Sequence, residues 1–135
     1  MYDTIEQCMT PLVVTIGREQ TLAEAHRVMR EHGVRHLPVL HAGALVGMVT
    51  ERDLNLIETL RSVDPVLAKV DDAMSEDVFA VNPGASLADV ARRMASEKYG
   101  SAVVLAGKKV VGIFTAVDAL RALDSLLTSR SALKL

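Results

Sequence analysis

The chain has 135 residues, with 15 basic and 17 acidic side chains, a formal net charge of −2 and one cysteine, enough for one ordinary domain or two very small ones sharing a core. A near-neutral charge without a Lys/Arg run, and only two Tyr, two Phe and no Trp, exclude a nucleic-acid backbone binder and an aromatic platform for single strands. Cys8 alone allows no intramolecular disulfide, the start lacks the pattern of a signal peptide, and no apolar run approaches the ~20 residues that span a bilayer, so a cytoplasmic protein without a membrane partner is expected.

In chain order, a short leader ends at Pro11, and Leu12-Val13-Val14-Thr15-Ile16 reads as a strand. Gly17 to Gln20 is a turn, and Thr21-Leu22-Ala23-Glu24 is a capping box: the Thr hydroxyl accepts the amide three residues on, and Glu reaches back. Leu22, Ala25 and Met29 recur at helical spacing until Gly33 stops the helix. Leu37-Pro38-Val39-Leu40 is a short strand whose proline is tolerable at an edge or end. His41 to Ala44 turns the chain into a second arm, Leu45 to Val49. A helix follows from about Glu51 to Arg61, apolar at Leu54, Ile57 and Leu60.

The same order then returns. After Asp64-Pro65 come a strand at Val78 to Val81, a turn at Asn82-Pro83-Gly84, and a second capping box at Ser86-Leu87-Ala88-Asp89. Its helix turns Leu87, Val90, Ala91 and Met94 inward. A hairpin runs from Ala102 to Ile113 around Gly107-Lys108, and a last helix from near Ala116 carries Leu120, Leu123, Leu126 and Leu127, more than one buried face requires. Sliding the sequence by 65 aligns it with itself without a gap: Met9 falls on Met74, Leu22 on Leu87, Arg27 on Arg92, and Gly47, Thr50 and Asp53 on Gly112, Thr115 and Asp118. This is a tandem duplication. The expected fold is α/β (α+β in some schemes), two βαββα repeats packed by a pseudo-two-fold, because one such unit has too little core to stand alone. The expected bounds are 5–61 and 70–127 for the repeats, 62–69 for the linker and 128–135 for the tail.

The repeated Thr-x-x-Asp at a strand-to-helix junction admits two uses. Thr50 with Asp53, and Thr115 with Asp118, have the spacing of a capping box. The same carboxylate beside free helix amides can accept ribose hydroxyls while the amides attract phosphate. Arg35 and His36 precede Leu37-Pro38 and are either a solvated turn or phosphate ligands, the guanidinium being the better fork. Arg52 is a further phosphate candidate. The second copy has Gly100, Ser101 and Val117 at these places. His26, His32, His36 and His41 do not form a zinc-like set, since Gly33 breaks the helix between His32 and His36, so no metal is expected. No nucleophile–base–orienter set is legible, and Cys8 reads as an inert thiol.

Met9-Thr10 and Met74-Ser75 at the leader ends, Leu37-Pro38-Val39, and the Gly-apolar-apolar-Thr-x-x-Asp endings at 47–53 and 112–118 resemble the tandem cystathionine β-synthase (CBS) domain pair over roughly residues 5–121. The resemblance implies a non-enzymatic regulatory and signalling module that senses AMP, ADP, ATP or S-adenosylmethionine in clefts between the repeats, with no cofactor required. It carries ribose contacts onto Thr50, Asp53, Thr115 and Asp118, and phosphate contacts onto Arg35, His36 and Arg52. It also implies a homodimer, and a regulated partner protein. The alternative is a ligand-free interaction or dimerisation module.

Overall fold

A computed structural model describes residues 3–11 and 14–133, the side chains of 130–133 excepted. The chain forms two compact units, Val13–Val78 and Met1–Leu12 with Phe79–Leu135. Each is a small sheet with helices on it, an α/β arrangement.

In the Val13–Val78 unit, β2 (Ile16–Gly17), α1 (Leu22–His32), β3 (His36–His41), β4 (Ala44–Thr50), α2 (Glu51–Arg61) and the short α3 (Val70–Ala73) follow in order. The sheet runs β2-β3-β4, with β2 parallel to β3 and β3 antiparallel to β4. α1 begins at the Thr21–Glu24 capping box and ends where Gly33 takes the left-handed conformation, φ 63°. Ile16, Leu22, Ala25, Met29, Leu37, Val39, Val49 and Leu54 form its core. Pro38 is fully buried. β2 meets β3 only at Val39 and Leu40, so at Pro38 the sheet has a strand on one side alone, and the missing amide is tolerated. The expected five-residue strand is shorter than its composition suggests: only Ile16 of that run is in β2, while Leu12 and Val13 lie outside the described residues.

The other unit opens with a 3₁₀ turn, Ile5–Gln7, and β1 (Thr10–Pro11). It continues with β5 (Ala80–Val81), α4 (Leu87–Glu97), β6 (Ser101–Ala106), β7 (Lys109–Thr115) and α5 (Ala116–Leu133). Its sheet runs β1-β7-β6-β5. Ile5, Phe79, Val90, Met94, Ala102, Val104 and Phe114 form its core.

The leaders are therefore exchanged. The N-terminal leader buries Ile5 among residues of the second copy, and β1 pairs with β7 through Thr10↔Ile113 and Pro11↔Gly112. The leader of the second copy places Val70 in the first copy's core, and Ser75 exchanges two backbone hydrogen bonds of 2.9 Å with Met48 on β4. Burying an isoleucine or valine in this way contributes about 1.5–3 kcal/mol.

Candidate functional site

The β3–β4 hairpin register sets His36 opposite Thr50. One residue further out, the Glu51 amide donates to the Arg35 carbonyl at 3.0 Å. Arg35, His36 and Thr50 thus meet the first turn of α2 at one sheet end. They line a cleft of 530 Å³ with Glu51 and Arg52, while Leu56 and Leu60 supply an apolar side. Small-molecule clefts typically measure about 300–1,000 Å³. Four of the residues singled out in the sequence, Arg35, His36, Thr50 and Arg52, are brought together here.

Asp53 stands beside the cleft without lining it. Its Oδ2 accepts the Thr50 amide at 2.9 Å, and its own amide donates to Thr50 Oγ1 at 3.1 Å. This is the capping box expected from the spacing. Asp53 is only half-buried, and Oδ1 has no hydrogen-bond partner among the described residues. The Thr50 hydroxyl proton likewise has no acceptor there.

Thr115 and Asp118 form the same box, with the Thr115 amide 2.9 Å from Asp118 Oδ2 and the Asp118 amide 3.3 Å from Thr115 Oγ1. The difference lies at the other oxygen. The Thr10 hydroxyl donates to Asp118 Oδ1 at 2.8 Å, so both carboxylate oxygens are engaged and the residue is 4% exposed. Ser75, at the matching place in the second leader, makes no such bond to Asp53 among the described residues. The exposed Arg121 guanidinium, 3.8 Å from Asp118 Oδ1, adds little through solvent. The bond from Thr10 was not legible in the sequence, where 108 residues separate the partners.

The arginines divide clearly. Arg18, Arg27, Arg92, Arg93 and Arg121 each stand within ion-pair distance of a carboxylate. Among the described residues, the side chains of Arg30, Arg35, Arg52 and Arg61 have no such partner. Two of these, Arg35 and Arg52, line the cleft. His26 hydrogen-bonds Glu58 at 2.7 Å, and His32 Nδ1 lies 3.0 Å from the Val28 carbonyl. Among the described residues, no group of three or more His, Cys, Asp or Glu is placed to hold a metal ion. Burial, then the nearby Asp118 carboxylate, pushes the Cys8 thiol above its ordinary pKa, and its Sγ lies 3.6 Å from the Thr4 and Ile5 carbonyls. Such a thiol is a poor nucleophile. No described helix is long and apolar enough to cross a membrane.

The CBS domain matches this chain twice, at residues 5–56 and 70–125. The CBS domain-containing protein YhcV of Bacillus subtilis is 32% identical over 115 residues, 85% of this chain and 81% of its own length. The crystal structure of a Vibrio cholerae protein assigned to acetoin utilization superposes with a TM-score of 0.83 at 31% identity, covering 98% of both chains. A CBS domain pair solved in complex with 5′-methylthioadenosine and S-adenosyl-L-methionine is similar in fold, with a TM-score of 0.78 at 20% identity over 90% of this chain and 96% of that one. With two matched domains spanning most of its length, the chain belongs to the CBS domain family, as a tandem pair.

Proposed function

We propose that this pair is a non-enzymatic regulatory module that senses a phosphate-bearing adenine nucleotide in the cleft of the Val13–Val78 unit. The observation that carries the reading is the pair of guanidinium groups without carboxylate partners, Arg35 and Arg52, on a cleft that also contains Thr50 and the first turn of α2. Arginine forks suit phosphate oxygens, and the positive end of the α2 dipole favours the same charge. His36 supplies a further polar contact at the same strand end. On the sugar side, the Thr50 hydroxyl is the donor and the open Oδ1 of Asp53 the acceptor for ribose. For Thr115 and Asp118 the ribose role would require Thr10 to be displaced first.

The family supplies the expectation of an adenosine moiety, and this chain's arginines choose among its ligands. S-adenosylmethionine carries a sulfonium cation and no phosphate, so two uncompensated guanidinium groups disfavour it relative to AMP, ADP or ATP. A bound nucleotide regulates only if it binds one arrangement of the protein better than another. Calorimetric titration with AMP, ADP, ATP and S-adenosylmethionine tests this. The phosphate-bearing ligands should bind, and Arg35→Ala should weaken them by about tenfold or more, the worth of one charged hydrogen bond. Absence of heat with every nucleotide at millimolar concentration would contradict the proposal.

A second reading rests on α5. Val117, Leu120, Leu123 and Leu127 are 54, 63, 50 and 54% exposed, an apolar stripe that a second copy of the chain would cover as a homodimer. Sedimentation should then give a dimer for the native chain and a monomer for Leu120→Glu/Leu127→Glu, whereas a native monomer at micromolar concentration would rule it out.

A further inference from the structure

We infer that the ligand is a nucleoside polyphosphate, and that Arg30 on α1 is the residue that selects it over the monophosphate. This rests on the nucleotide reading above and names the ligand class of the same site. A second cavity, of 470 Å³, shares Arg35 and Glu51 with the cleft and continues along α1 past His26, Arg30 and Gly33. A chain of phosphates held at Arg35 therefore has room to continue from the cleft into a space walled by another cation. Of the four described arginines without a carboxylate partner, Arg30, Arg35 and Arg52 line one or both of these cavities, and none of the five paired arginines lines either. Unpaired exposed cations are common singly, but their concentration on two adjoining cavities that share Arg35 and Glu51 is the footprint of an anion longer than one phosphate.

The remaining groups fit that ligand. His26 is held by Glu58 at 2.7 Å, which leaves the Arg30 guanidinium as the available fork on α1. Glu51 lines both cavities, and its negative charge there would repel a bare phosphate. Polyphosphates are bound with Mg²⁺, for which one protein carboxylate plus phosphate oxygens is an ordinary ligand set. The second copy has none of this chemistry: Ala91, Ala95, Gly100 and Val117 replace His26, Arg30, Arg35 and Arg52.

The test is calorimetric titration of the full chain with AMP, ADP and ATP in the presence of Mg²⁺, for the native protein, Arg30→Gln and Arg61→Gln. The native protein should bind ATP or ADP about tenfold or more tightly than AMP. Arg30→Gln should abolish that ratio while leaving AMP affinity unchanged. Arg61→Gln, which removes an unpaired arginine outside both cavities, should change neither. AMP binding with no polyphosphate preference, or equal losses in both variants, overturns the inference and leaves the nucleotide site standing. Absence of binding by any of the three nucleotides overturns both.

Discussion

Asp118→Ala should cost about 2–3 kcal/mol of stability, against about 1 kcal/mol for the matching Asp53→Ala. The two residues occupy the same place in the two copies and cap the same kind of helix start, yet their surroundings differ. Asp118 is buried, and its loss leaves the Thr10 hydroxyl and the Thr115 amide without their acceptor. Thr10 is exposed and Thr115 half-buried, so the excess loss is the net worth of one further hydrogen bond to a charged group, about 1.5–3 kcal/mol. Asp53 is half-buried and gives up a single box, which water can partly replace. Urea unfolding of both variants measures the difference. Equal losses would show that the Thr10 bond contributes nothing, and a stability gain for Asp118→Ala would show that burying the carboxylate costs more than its bonds return.

Gly47→Ala carries the second large effect. A Cβ at Gly47 would lie 2.7 Å from Met74 Sδ and 2.9 Å from the Ser75 carbonyl oxygen. The methionine end can move, but the carbonyl belongs to the backbone that exchanges hydrogen bonds with Met48. The added methyl must push the leader off β4 or bend the strand, at about 1–3 kcal/mol. That should lower the melting temperature by about 3–10 °C for a chain of this length. Gly112 meets Met9 and the Thr10 carbonyl in the same way in the other unit. Gly100→Ala is the control, because a Cβ there meets nothing within 4 Å, and it should stay within about 0.5 kcal/mol of the native protein. Equal melting temperatures for Gly47→Ala and Gly100→Ala would show that the leader packs loosely.

Much of this was legible from local chemistry. The Thr21–Glu24 box and Gly33 delimit α1, and the Thr50–Asp53 box opens α2, because capping depends on residues three or four apart. The polar asymmetry between copies was equally legible, since Arg35, His36 and Arg52 face Gly100, Ser101 and Val117 at the same offset. The exchange of leaders was not. Met9 and Met74 align with each other, so a duplicated sequence contains no sign of which copy each leader packs against. For the same reason Thr10 and Asp118 could not be paired in advance, although their bond is what separates a closed carboxylate from an open one. Arg30 was hidden differently: on a helix face it reads as an ordinary solvated cation, and only the pairing of the other arginines in space sets it apart.

The decisive measurement is the calorimetric stoichiometry of nucleotide binding to the native chain and to these two aspartate variants, at a temperature where all are folded. One nucleotide should bind per native chain. Asp53→Ala should weaken it by about tenfold or more, through the lost ribose acceptor, while Asp118→Ala should leave affinity and stoichiometry unchanged. Two equivalent sites per chain, or a loss confined to Asp118→Ala, would contradict a single nucleotide site built on Arg35, Thr50, Arg52 and Asp53.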